Sequence, residues 1–287
     1  FDITRPPESL TEDLPEELVG RVNKLLGKVI QENYPQVAQY RKSVRSYIKE
    51  MRFSQHRIQL ENLASNTLNL LAWIDDKDLA MRDLKPENLF VAGEPKSYPL
   101  FLNDTRKFSI GLIDVETAVV MDTQSSKEIP QPQLAGTPLY ATPTHLLNNT
   151  LLEEIYGDVA AILHMQDWYA TIAIIFKIIS GRNLFSSTAM LFPEMVKQIR
   201  ILDPAGPEMD KEMAQIHQMF WGSARGEFKE NLKAYKDILE RIEVAVPRLM
   251  VPTIIKALHG GCNHISSALA GIVSQQSVFT GKEKCQY

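Results

Sequence analysis

The chain has 287 residues, 44% hydrophobic and 23% charged, with 31 Lys and Arg against 35 Asp and Glu for a formal net charge of -4. These proportions suit one large globular domain or two ordinary ones, and they exclude collagen-like, disulfide-framework and wholly disordered chains. There is no overall basic excess of the kind a generic nucleic-acid binder carries, so no nucleic-acid partner is expected. Two cysteines, Cys262 and Cys285, cannot build a disulfide framework and predict the cytoplasm or another reducing intracellular compartment. The longest apolar stretch, Ala170 to Ile179, is interrupted by Lys177 and is shorter than the ~20 residues of a membrane span, so no span is predicted. The sequence opens on Phe1 with no signal peptide after it, which reads as a piece of a longer chain.

In chain order, residues 1–14 are polar, carry Pro6 and Pro7, and predict an extended lead-in. From Glu16, apolar residues at Val19, Val22, Leu26, Val29 and Ile30 predict an amphipathic helix. A second helix is expected around Val37, Tyr40, Val44, Ile48 and Met51, and a third from His56 to Trp73 through Leu60, Leu63, Leu68 and Leu71. Between about 81 and 145 helical periodicity stops. Leu89 to Val91, Ser109 to Ile113 and Thr117 to Val120 read there as short strands in hairpin-like pairs. Helical pattern returns near 151, and Trp168 to Ile179 is apolar nearly all round, the mark of a buried helix. Further helices are expected at about 190–201, 209–221, 226–244 (charges alternating on a solvated face) and 251–258. His259, Cys262 and His264 cluster, but Gly260 and Gly261 read as a helix stop and no fourth zinc ligand is evident, so no metal site is expected there.

The chemistry is concentrated in Met81-Arg82-Asp83-Leu84-Lys85-Pro86-Glu87-Asn88-Leu89-Phe90. An Asp can orient a hydroxyl, a Lys two residues on lies on the same side of an extended loop, and an Asn offers a neutral oxygen to Mg²⁺. The string resembles the catalytic loop of protein kinases, H-R-D-L-x-x-x-N, and its Lys-Pro-Glu-Asn ending is similar to the serine/threonine branch. The resemblance implies that Asp83 accepts or orients the substrate hydroxyl, that Lys85 steadies the transferred phosphate, and that Asn88 ligates Mg²⁺. Lys85, Asn88, Phe90 and Asp114 would be the nucleotide-binding residues.

Three further segments follow in family order. Ile110-Gly111-Leu112-Ile113-Asp114-Val115-Glu116 sits where kinases carry a strand and D-F-G, so the resemblance makes Asp114 a second Mg²⁺ ligand, with Val115 and Glu116 as departures. Gly136-Thr137-Pro138-Leu139-Tyr140-Ala141-Thr142-Pro143-Thr144 resembles the end of an activation segment. Thr137 would there contact Asp83 and Lys85, and Thr144 stands in place of the family's Glu. Asp167-Trp168-Tyr169 with the following apolar run resembles the central helix of the C-terminal lobe. Asp167, at the helix start, would accept backbone N–H groups of the catalytic loop, after an insertion containing Leu151 to His164. Arg82 would read phosphorylation, with Thr123, Ser125 and Ser126 as candidate acceptors.

The resemblance spans roughly 56 to 186 and implies a mainly α fold: a protein-kinase-like C-terminal lobe, a helical bundle with a few short strands. The domain reading is a helical extension over 1–55, the lobe over 56–258 and a polar tail over 259–287. Residues 1–80 hold no glycine loop and no strand lysine, so an N-lobe is expected upstream of Phe1, and this piece alone is expected not to phosphorylate. The implied function is transfer of the ATP γ-phosphate to a protein Ser or Thr with Mg²⁺. Two alternatives stay open. Met81, Val115, Glu116 and Thr144 fit a pseudokinase scaffold, and the faces of helices 16–51 fit a helical adaptor.

Overall fold

The structure, a computed structural model, describes residues 15–121, 128–134, 136–202, 206 and 209–245. Outside them lie the expected lead-in, Thr123, Ser125, Ser126, the 251–258 helix, both cysteines and the His259–Cys262–His264 cluster. The described residues are mainly helical, and the chain divides between His56 and Arg57 into two compact units.

The first unit holds α1 (Glu16–Glu32) and the start of α2 (Tyr34–Asp76). Asn33 closes α1 by donating from Nδ2 to the Val29 carbonyl at 2.8 Å, and Pro35 falls in the first turn of α2, where its missing N–H costs nothing. The two helices expected at 37–51 and 56–73 are one. No Gly or Pro follows Pro35 before Asp76, so nothing in the backbone interrupts the run.

The second unit is organised by α4 (Val159–Ser180), buried along most of its length through Leu163, Trp168, Ile172, Ile175 and Phe176. By length and composition α4 could cross a membrane, although the Ala170–Ile179 stretch alone could not. Its most apolar 18-residue window is 78% buried inside the protein, as in a core helix. Its N-cap Asp158 accepts the Ala161 N–H at 2.9 Å, and Gly181 ends it at a φ of 69°, a left-handed turn that glycine enters without strain. Before it runs α3 (Asn149–Tyr156), and after it come α5 (Ser186–Ala189), α6 (Phe192–Ile201), α7 (Met209–Ala234) and α8 (Lys236–Leu239). Tyr169 stacks on Phe185 at 4.5 Å and meets Phe220 and Trp221 of α7, which binds the last helices to the core. The break expected between 221 and 226 is absent. Gly222 and Gly226 lie inside α7, where burial of Phe220, Trp221, Ala224 and Phe228 outweighs about 1 kcal/mol of helix propensity per glycine.

Among the described residues, four short strands form two antiparallel pairs. β2 (Leu89–Gly93) pairs with β3 (Phe108–Leu112) in the register Leu89 to Leu112 and Gly93 to Phe108. β1 (Leu79–Ala80) pairs with β4 (Val119–Val120), which falls inside the strand expected at Thr117–Val120; its partner β1 is not among the expected strands. Asn62 and Asn66 of α2 hold the long β2–β3 connection by donating to the carbonyls of Leu102, Thr105 and Phe108 at 2.9–3.0 Å.

Candidate functional site

The segment between β1 and β2 is shaped by its own residues. Arg82 has a φ of 64°, a left-handed conformation that is uncommon without glycine, and the Asp83 N–H then donates to the Met81 carbonyl at 2.8 Å. Lys85 is extended, Pro86 opens a 3₁₀ turn over Pro86–Asn88, and the chain enters β2.

The loop is anchored to the core by Asp167. Its two carboxylate oxygens accept the backbone N–H groups of Met81 and Arg82 at 2.6 and 2.7 Å. Asp167 is not at the start of its helix, as expected, but inside it, because α4 begins at Val159. The 151–164 stretch read as an insertion is α3 followed by the first turns of α4. Asp167 has no exposed surface, and burial pushes its carboxyl up to about 7 against the opposing pull of the two N–H groups and Arg82.

Arg82 is buried with every branch of its guanidinium engaged. Nε donates to Gln166 Oε1 at 3.0 Å, Nη2 to the His145 carbonyl at 3.1 Å and Nη1 to the Gln133 carbonyl. Burial lowers it to about 10, with Asp167 acting the other way. His145 returns the contact: Nε2 faces the Arg82 carbonyl at 2.9 Å while the Thr142 N–H donates to Nδ1 at 3.0 Å. The neutral tautomer with its proton on Nε2 satisfies both, and burial, with Arg82 beside it, pushes His145 down to about 3. Thr144 bonds Thr142 Oγ1 at 2.8 Å and accepts from Gln166 Nε2 at 2.9 Å, so a neutral network fills its surroundings.

On this base Asp83, Lys85, Asn88 and Thr137 meet. Thr137 Oγ1 donates to Asp83 Oδ1 at 2.9 Å, and Lys85 Nζ pairs with Asp83 Oδ2 at 2.5 Å. Asn88 Nδ2 donates to the Asp83 carbonyl at 3.0 Å and approaches Oδ2 at 3.4 Å, the same separation as Lys85 Nζ from Thr137 Oγ1. Both acidic oxygens are therefore oriented by donors from residues two and 54 positions away.

The β2–β3 pair brings Asp114 to the same end of the site. The Ile113 N–H donates to the Asn88 carbonyl at 2.9 Å, one step beyond the Leu89–Leu112 pair, and Asp114 follows with a φ of 61°. Its carboxylate is exposed, with no hydrogen bond to it among the described residues. No group of three His, Cys, Asp or Glu suited to a metal occurs among the described residues. Mg²⁺ asks less of a protein than that, one or two oxygens plus phosphates, and the Asn88 side-chain carbonyl and Asp114 carboxylate fit such a donor set. Phe90 lies 45% exposed on β2 opposite Gly111, whose missing Cβ leaves room for the ring. A cavity of about 750 Å³ with apolar walls, including Leu70, Trp73, Leu79, Met81, Phe108 and Val115, opens beside this turn.

The residues named from sequence thus fall into three groups, one of them Phe90 and Asp114, exposed on β2 and just after β3. Asp83, Lys85, Asn88 and Thr137 share one cluster, while Arg82 and Asp167 lie beneath it. His145, Gln166 and Gln133 support the loop without any sequence pattern announcing them. Comparison of the sequence with protein-family models gives no match, and comparison with curated proteins gives none.

Proposed function

We propose that this chain carries the catalytic lobe of a serine/threonine protein kinase. The observation supporting this reading most strongly is the Asp83 carboxylate, fixed between the Thr137 hydroxyl and the Lys85 ammonium with Asn88 alongside. In phosphoryl transfer a protein mainly positions reactants and balances charge. Asp83 aims the incoming Ser or Thr hydroxyl and takes its proton as the oxygen bonds the γ-phosphorus and ADP departs with the bridging oxygen's electron pair. Lys85, turning from Asp83 to the transferred group, offsets phosphate charge. Asn88 and Asp114 would hold Mg²⁺, which supplies charge neutralisation across the phosphates. Phe90 offers an exposed ring to the base of the nucleotide. The apolar cavity beside the Asp114 turn would suit the packing of an N-lobe.

The test is label transfer from ATP to protein Ser or Thr by the full-length protein, with Asp83→Asn beside it. Loss of transfer in that variant supports the reading, and equal transfer refutes it. One observation favours a scaffold instead: Glu116, exposed two residues after Asp114, adds a second negative charge where phosphates would lie. Mg-nucleotide binding with no Asp83-dependent transfer is the signature of that reading.

A further inference from the structure

The net charge of the chain conceals a local reversal. From Tyr34 to Arg52 the sequence contains five Lys or Arg and one Glu, whereas the whole chain has more acidic than basic residues. Arg41, Arg45 and Arg52 recur at intervals of four and seven and so lie along one line of α2. Immediately beside it runs a second line, Val37, Tyr40, Val44, Tyr47, Ile48 and Met51, at the three- and four-residue intervals of an apolar stripe. Four of its six residues are exposed, Tyr40 at 71%, Tyr47 at 68%, Ile48 and Met51, while Val37 and Val44 are half-buried. The neighbouring α1 has no buried residue and exposes Leu18, Leu25, Leu26 and Val29. Over the whole of α2 the apolar residues follow no single stripe, because its second half is buried among the elements of the other unit; over Tyr34–Arg52 they do.

We propose that this stretch of α2 docks on a bilayer containing anionic phospholipid, lying in the plane of the surface. A basic line adjoining an apolar stripe, with low overall hydrophobicity, is the physical requirement for interfacial binding. The arginines meet acidic headgroups, the aliphatic side chains enter the acyl boundary, and the tyrosines, apolar in body and polar at the tip, suit the headgroup level. A second copy of the chain is a poorer occupant, since it would bring one like-charged helix against another. Nucleic acid would satisfy the arginines and leave the apolar stripe in water. The proposal is independent of the phosphate-transfer reading, as it uses none of the same residues.

The experiment is co-sedimentation of the full chain with phosphatidylcholine vesicles, with and without phosphatidylserine. Binding is expected only when phosphatidylserine is present, weakening as salt is raised. Substituting Arg41→Gln, Arg45→Gln and Arg52→Gln together should weaken it roughly a hundredfold, at about fivefold per arginine. Tyr47→Ser with Ile48→Ser, which leaves the charge unchanged, should weaken it about tenfold or more. All the substituted side chains are exposed or partly exposed, so circular dichroism should be unchanged. Absence of binding to the anionic vesicles would overturn the proposal. So would equal binding by the arginine or apolar variants, tighter binding to duplex DNA than to vesicles, or a dimer that these substitutions dissociate.

Discussion

Asp167 Oδ1 accepts the backbone N–H of Arg82 at 2.7 Å although 85 residues separate the two in sequence. Through that contact the buried helix α4 holds the residue whose left-handed φ turns the chain towards Asp83. Such backbone strain persists only where the surroundings over-determine it. Here Asp167 fixes the Arg82 backbone, while Gln133, His145 and Gln166 fix its side chain.

Replacing Asp167 should therefore be felt as unfolding. Asp167→Ala leaves the Met81 and Arg82 N–H groups buried without acceptors, each costing about 1–3 kcal/mol. Urea unfolding is expected to register a loss of about 2–5 kcal/mol, with Asp167→Asn milder because one oxygen remains. An alanine variant as stable as wild type would contradict this anchoring.

Arg82→Lys should also destabilise, by about 2–4 kcal/mol, because an ammonium cannot reach three acceptors set around a planar fork. The same geometry bears on phosphorylation: a phosphate could pair with Arg82 only by displacing one of these acceptors. Thermal unfolding of the lysine variant is the check, and an unchanged midpoint would deny the guanidinium its structural role.

Stability should fall in mild acid. His145 and His217 are buried, with folded values pushed down to about 3 and about 4 from an ordinary 6.5. Below 6.5 the unfolded chain takes up protons that the folded one refuses, so each histidine costs about 1.4 kcal/mol per pH unit until its folded value is reached. Asp167 works in the opposite direction. Raised to about 7 from 3.8, it keeps its proton in the fold across that window and offsets one histidine. Between pH 6.5 and 4 wild type should lose a net amount of about 1–2 kcal/mol per unit, and His217→Gln should flatten the slope. Urea midpoints across this range test the sign.

Gly136→Ala should disturb the site from below. An added Cβ would sit 2.7 Å from Ala141 Cβ and 3.1 Å from the His145 ring, both buried and unable to yield, next to Thr137. Overpacking of this kind costs about 1–3 kcal/mol and should displace the Thr137 hydroxyl from Asp83. Gly222→Ala, with open space around its Cβ inside α7, should instead be neutral or stabilising in the same melting experiment.

The Asp83 cluster was legible in sequence because Asp83, Lys85 and Asn88 are close along the chain, so their types and spacing carry the geometry. Thr137 and Asp167 could be named only through the resemblance, since nothing local marks a contact across 54 or 86 residues. His145, Gln166 and Gln133 were missed because a buried polar network is defined by depth and partners, neither of which is periodic. The long α2 was readable in principle from its lack of Gly and Pro. The continuity of α7 was not, because tertiary burial decides whether glycines in a helix are tolerated. Of the β1–β4 pair, β4 lay within the expected Thr117–Val120 strand, while β1, two residues just after a helical stretch, had no pattern to read.

The most direct measurement is incorporation of label from ATP and Mg²⁺ into serine or threonine of a protein substrate by the full-length protein, with Asp83→Asn run in parallel. Wild type should incorporate label, and the variant should incorporate it about a hundredfold less or lower still. Equal incorporation by both, or none above background by either, would contradict the kinase reading.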